Sequence, residues 1–171
     1  RVVIVRSANR TMEVRGVAEQ ENLDSHIGSV VQEKLKELPD GKAYEKKVSD
    51  MKTLTNIERK ARDGIKLTKD DLAFLYEINS PIEGFGYQKD PRIEQIRATR
   101  DVRADLSYVL GIPPAQVSLT QKEALKGGIV YHYGNIDLGS LTSAEGLTLP
   151  ESIGRDLYLG SLTSAKGLTL P

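Results

Sequence analysis

"LGSLTSAEGLTLP" (Leu138–Pro150) and "LGSLTSAKGLTLP" (Leu159–Pro171) are one segment written twice, with a single charge reversed at Glu145 against Lys166. The period is 21 residues, within the range that marks stacked repeat units. Each period holds two L-x-L-type triplets, Ile136-Asp137-Leu138 with Leu147-Thr148-Leu149, then Leu157-Tyr158-Leu159 with Leu168-Thr169-Leu170. In an extended strand alternate side chains share a face, so the outer two residues of each triplet point inward and the middle one outward. Gly146, Gly154 and Gly160 fall at the expected corners, where glycine relieves an unusual dihedral. Pro150 lacks an N–H and ends pairing.

This pattern predicts a flattened right-handed coil in which successive copies stack about 4.8 Å apart, Leu138 on Leu159 and Leu149 on Leu170. One copy cannot bury its own leucines, and about three are usually needed. The expected fold is therefore α+β: an N-terminal β-hairpin and helical domain capping a short C-terminal leucine-rich-like β-solenoid. Residues 1–128 form the hairpin and helical cap, and residues 129–171 the solenoid. The chain opens without methionine and stops at Pro171 in the phase of Pro150, so truncation at both ends is expected.

Upstream of the repeats the grammar is helical. Val2, Val3, Ile4 and Val5, followed by alternation at Met12, Val14 and Gly16, predict a hairpin turning at Ser7–Arg10. Leu23, Ile27, Val30, Val31, Leu35 and Leu38 recur at helical spacing up to Pro39. Asp40 stands as the cap of a helix reaching Arg62, with Tyr44, Val48, Met51, Leu54, Ile57 and Ala61 on its apolar stripe. Thr68/Asp71 and Thr120/Glu123 read as capping boxes. Asp90-Pro91 starts another helix, and Asp101 caps one that stops at Gly111.

The spacing from Leu138-Gly139-Ser140-Leu141 to Leu149-Pro150-Glu151-Ser152-Ile153 resembles bacterial leucine-rich repeats. It departs from them in lacking an asparagine ladder and in having two triplets per period. Over a longer span, "LTKDDLAFLYEINSPIEGFGYQKDPRIEQIRATRD" (Leu67–Asp101) with "GGIVYHYGNIDLGSLTSAEGLTLPESI" (Gly127–Ile153) resembles a group of uncharacterised proteins from candidate-phyla-type bacteria, in which a helical segment precedes a variable number of such repeats. The resemblance implies that architecture and a bacterial origin. It implies no activity.

Composition narrows the function classes. Basic and acidic residues number 24 each, so no global field draws the chain to nucleic acid or anionic lipid. Residues 129–171 hold two basic and four acidic residues, leaving 22 and 20 upstream. No apolar run approaches the roughly 20 residues of a membrane span. Cysteine is absent, which excludes disulfides and thiolate chemistry and favours, without fixing, a cytoplasmic setting.

Four motifs invite a chemical reading. "EGFGYQKD" (Glu83–Asp90) superficially resembles an RNA-binding aromatic motif, but its first residue is acidic and Pro91 interrupts any strand. It reads instead as a loop with Phe85 and Tyr87 plugging between helices. Tyr131, His132 and Tyr133 form a junction cluster, read as the first strand stacked on the repeats rather than as acid–base machinery. His26 is read as a surface or capping residue, and the two histidines make no metal site. Arg92, Arg97, Arg100 and Arg103 are interleaved with acids and read as a salt-bridge-laced surface. No catalytic residue, metal or cofactor is expected.

The favoured function is non-enzymatic protein–protein recognition or scaffolding, with Asp137, Thr148, Tyr158 and Thr169 as the outward binding row. The partner is an unknown protein, and the open edge of the last copy also offers end-to-end self-association. The alternative places an enzymatic or nucleic-acid-binding function in the helical domain, with the repeats as a localisation tail.

Overall fold

A sequence rich in local capping signals folds here into short helices joined by shorter strands. The structure is a computed structural model, and it describes residues 2–7, 10–16, 33 and 35–171. The expected helix from Leu23 lies largely outside those residues, as does His26.

The chain divides into two units, residues 1–66 with 81–96 and residues 67–80 with 97–171. In the first, β1 (Val2–Ser7) and β2 (Arg10–Gly16) pair antiparallel from Val2↔Gly16 to Ser7↔Arg10, with an irregularity at Val5/Arg6. The β-branched run thus forms the hairpin that its composition predicts. Helix α1 (Gly41–Arg62) follows. Leu54 and Ile57 from the expected stripe are fully buried, whereas Ala61 at its end is exposed. Asp40 occupies the cap position but makes no side-chain capping bond. Glycine is required at Gly41 because any Cβ would run into the Leu35 carbonyl. Ile4, Leu38 and Tyr44 pack around buried Leu35.

Helix α3 (Pro91–Ala98) begins in the first unit and ends in the second. Arg92 hydrogen-bonds Asp90 Oδ2 at 2.8 Å and Glu58 Oε2 at 3.0 Å. Those contacts to its guanidinium hold the Asp90 carboxyl below the usual range.

In the second unit both capping boxes form as read. Thr68 Oγ1 accepts from Asp71 N–H at 3.2 Å and Asp71 Oδ2 from Thr68 N–H at 2.8 Å, opening α2 (Lys69–Leu75). Thr120 and Glu123 do the same for α5 (Gln121–Ala124). Asp101 caps α4 (Val102–Leu110), and Gly111 closes it in the left-handed conformation at φ 71°. Helix α2 packs on α4, with Leu72, Leu75, Tyr76, Leu106 and Val109 buried. Each cap satisfies amides that would otherwise be orphaned, worth about 1 kcal/mol.

The described residues also form β3 (Val117–Ser118), β4 (Tyr131–His132), β5 (Ile136–Asp137), β6 (Ser152–Ile153) and β7 (Leu157–Tyr158). They form a parallel three-stranded set, β3-β4-β6, and a parallel pair, β5-β7. Ile136 pairs with Leu157 and Asp137 with Tyr158, Tyr131 with Ser152 and His132 with Ile153, and Ser143 with Ser164. Each of these partners lies 21 residues from its mate. Gly146 and Gly167 share a positive φ, 78° and 81°. Gly154 and Gly160 do not.

These pairings correct the expected fold class. The leucine-rich-like β-solenoid with a helical cap is not what forms; among the described residues the architecture is mixed helix with short parallel strands and no closed sheet. Each parallel strand pairs over only two residues, too few to wall a coil. Leu147–Leu149 and Leu168–Leu170 are not strands at all. Pro150 and Pro171 deny each L-T-L segment a following amide donor, and only two copies are present to propagate a ladder. The cluster that does form contains buried Ala124, Ile136 and Leu138, with Leu141, Leu147, Leu149, Ile153, Leu157 and Leu159 partly buried around it. Burial fades across the copies: Ala144 is fully buried and its counterpart Ala165 exposed, and Leu170 is 64% exposed. Tyr131–His132 is likewise the middle strand of its sheet, not the first, because β3 pairs to its other side through Val117↔Tyr131.

Candidate recognition surface on the repeated segment

Asp137, Thr148, Tyr158 and Thr169 are all exposed. The register of β5 against β7 brings Asp137 directly beside Tyr158. Around this pair opens a shallow cleft of about 620 Å³ lined by Asp137, Gly139, Leu157, Tyr158, Leu159 and Gly160. A Cβ at Gly139 would press on Asp137 Oδ1 at 3.1 Å.

The electrostatics of the cleft are acidic. Tyr158 Oη–H donates to Asp156 Oδ2 at 3.2 Å. The Asp156 carboxylate, helped by Asp137, raises the phenol above its ordinary range. Asp137 Oδ1 accepts from Gly139 N–H at 2.9 Å, fixing the carboxylate's orientation. Half-exposed tyrosine beside carboxylates and an apolar floor is a surface for polar and aromatic contact.

Side chains that sequence reasoning missed hold the row in place. Gln121 closes the far edge of β5: its Oε1 accepts from Asp137 N–H at 2.9 Å, and its Nε2–H donates to the Asp137 carbonyl at 2.8 Å. One side-chain amide thereby replaces a whole strand neighbour. Asn135 Oδ1 accepts from Asp156 N–H at 3.1 Å, bridging the two copies at the same 21-residue offset. A glutamine at the start of a capped helix and an asparagine before a triplet are the only signals in the sequence.

The junction cluster is packed rather than open. His132 is 2% exposed, Tyr131 8% and Ser118 0%. His132 Nε2 lies 3.1 Å from the Asn135 carbonyl, which can only accept, so Nε2 carries the hydrogen. Nδ1 then accepts from the Ser118 hydroxyl at 2.9 Å. Tyr131 lies against Gly154, where a Cβ would collide with its phenol, and burial raises its pKa. Tyr133 meets Tyr76 edge-on at 5.7 Å. Both ring nitrogens of His132 are thus engaged, by the Ser118 hydroxyl and the Asn135 carbonyl.

The arginine series is laced with ion pairs, as its interleaved acids predict, but Arg97 is an exception to its expected exposure. It is 5% exposed, donates to the Leu75 carbonyl from Nε at 2.9 Å and reaches Glu77 Oε2 at 3.2 Å. Glu77, held at φ 57°, also stands 3.7 Å from Arg155. Arg100 grips Asp105 with two bonds, at 2.5 and 2.8 Å, and Tyr76 Oη–H donates to the same carboxylate at 2.8 Å. Arg103 clasps Glu123 at 2.9 and 3.0 Å.

The loop at "EGFGYQKD" departs from its reading as a plug. Phe85 leans on Tyr44 at 5.4 Å but is 43% exposed, and Tyr87 is wholly exposed. The loop is tied to α1 through its backbone instead: Asp50 Oδ2 accepts from Glu83 N–H at 2.9 Å.

Among the described residues no helix is long and apolar enough to cross a membrane, and no group of three His, Asp or Glu side chains gathers as a metal site would need. No protein-family model, curated protein or solved structure matches the chain.

Proposed function

We propose that this chain is a non-enzymatic protein-recognition module whose working surface is the repeated segment. The observation that carries the reading is the in-register Asp137/Tyr158 pair, exposed over its cleft. Thr148 and Thr169 extend the row. The rest of the segment is spent on burying leucines and closing backbone edges, so the outward positions are the ones free to vary with the partner. The partner is a protein.

The test uses the full chain as bait in a nuclease-treated bacterial lysate, beside Tyr158→Ala. Tyr158 is half-exposed and bonded only at its hydroxyl, so its truncation should change stability by no more than about 0.5 kcal/mol. Capture of one specific protein by the parent chain, lost with Tyr158→Ala, supports the reading. Equal capture by both baits overturns the assigned face. Capture that vanishes with nuclease overturns the protein partner.

A further inference from the structure

The loop from Pro81 to Arg92, in the first unit, is tied to α1 at both ends. Lys46 Nζ donates to the Pro81 carbonyl at 2.8 Å, and Asp50 Oδ2 accepts from Glu83 N–H at 2.9 Å. At the other end Arg92 donates to Thr55 Oγ1 at 3.1 Å and to Glu58 Oε2 at 3.0 Å. The anchors from Lys46 to Glu58 span about three turns of helix. Between them Gly84 passes over Met51, whose sulfur would lie 3.8 Å from a Cβ there. Two aromatic rings are left in solvent on this fixed backbone: Phe85 is 43% exposed and Tyr87 wholly so. They border a cleft of about 520 Å³ that Met51 and Lys89 also line. A ring wholly in water adds nothing to the core, and its π face is open to a partner.

The helix beside the loop is cationic along one face. Positions three, four and seven apart share a helical face, which sets Lys52, Thr55, Asn56, Arg59 and Arg62 in one row, all exposed. Arg92, Arg97, Arg100 and Arg103 each hold a carboxylate, and Arg62 lies 3.3 Å from Asp63. Lys52 and Arg59 hold none among the described residues; Arg59 donates to the Asn56 side-chain oxygen at 2.9 Å. Thr55, which Arg92 reaches, is where this row meets the anchor of the loop. Asp50, Glu58 and Asp90 are paired with Lys46 and Arg92, and Glu83 is partly buried.

We propose that this loop and helix face bind single-stranded nucleic acid, with bases stacked on Tyr87 and Phe85 and phosphates met by Lys52 and Arg59. Every base has a π face, so exposed rings beside cations without a carboxylate accept a strand with little regard to its sequence. A duplex keeps its base faces stacked and an acidic peptide has none, so neither would use the rings. The site lies outside the repeated segment and goes beyond the protein-recognition reading.

The probe is a labelled oligothymidine or oligouridine of about twelve nucleotides, titrated against the full chain by fluorescence anisotropy over a series of salt concentrations. Saturable binding to either strand is expected, with a slope of log affinity on log salt of about −1.4 for two phosphates neutralised. Lys52→Gln or Arg59→Gln should reduce the slope to about −0.7. Tyr87→Ala should weaken binding about tenfold with the slope unchanged, and Tyr87→Phe should retain it, because stacking needs the ring and not the hydroxyl. Far-UV circular dichroism checks that the variants keep their fold. Absence of saturable binding overturns the proposal, as does binding indifferent to Tyr87→Ala. Equal binding of a duplex of the same length overturns the single-stranded assignment. Displacement of the strand by oligoglutamate at equal charge concentration overturns it as well, since the face would then accept any polyanion.

Discussion

Ile136 and Leu157 occupy the same position in the two copies, directly opposite each other, yet their truncation should cost very different amounts. Ile136 is fully buried among Ala124, Leu138 and the surrounding leucines. Ile136→Ala removes three carbons, which at about 0.8 kcal/mol each is about 2.4 kcal/mol of transfer free energy. The closed surroundings relax only in part, and the residual cavity adds roughly 1 kcal/mol, giving about 3.5 kcal/mol. Leu157 is only partly buried and borders the cleft, so Leu157→Ala leaves a notch that water fills. About half the transfer term applies and no cavity term, so its cost is roughly 1 kcal/mol. The assay is urea unfolding followed by far-UV circular dichroism and tyrosine fluorescence, with the slope compared between variants to exclude a change in unfolding mechanism. Equal costs for the two truncations would refute the reasoning. They would mean that the second copy is as enclosed as the first.

Three further outcomes follow from the second unit. Backbone amides, Leu119 first, and then Arg103 lower Glu123 from 4.5 to about 2; a depressed folded pKa gives stability that is present above pH 4.5 and lost as the pH falls toward 2. Glu123→Gln should therefore flatten the acid limb of a stability–pH curve in that window, and an unchanged limb would count against the Glu123 network. Gly154→Ala drives a Cβ into the Tyr131 phenol and should cost about 1–3 kcal/mol; adding Tyr131→Phe should recover part of it, and strict additivity in the double-mutant cycle would argue against the contact. Ser118→Ala leaves buried His132 Nδ1 without its partner, an expected loss of about 1–3 kcal/mol in thermal or urea unfolding, whereas a neutral effect would count against the Ser118–His132 hydrogen bond.

The parts of this fold that were legible in the sequence are those governed by neighbours a few residues away. Thr68 and Thr120 form the capping boxes that their spacing predicts, Gly111 ends its helix, and the β-branched opening pairs as a hairpin, because each depends on local dihedrals and local donors. The 21-residue offset was also legible, since identical segments find identical partners. What the period did not disclose was how little of each copy would become strand. Ladder formation needs donors in register along both sides, and the prolines after Leu149 and Leu170 withdraw them. Val117–Ser118 becomes a strand only because Tyr131–His132 lies alongside it, a nonlocal event with no periodic trace. Arg97 was misjudged for the same reason: its burial depends on the Leu75 carbonyl and Glu77, about twenty residues away. In the candidate site, alternation located Asp137 and Tyr158, but the Gln121 amide that closes the edge beneath them carried no pattern.

The pairing of Ile136 with Leu157 and of Tyr131 with Ser152 at one common offset acts as a reading frame for changes in length. Excising residues 138–158 would join Asp137 to Leu159, and every surviving residue would keep the neighbours in sequence that its phase requires. Removing one residue more or fewer would break the 21-residue register that the pairings share. Duplication or loss of a whole period is therefore structurally silent at the splice, while a shift of a single codon is not.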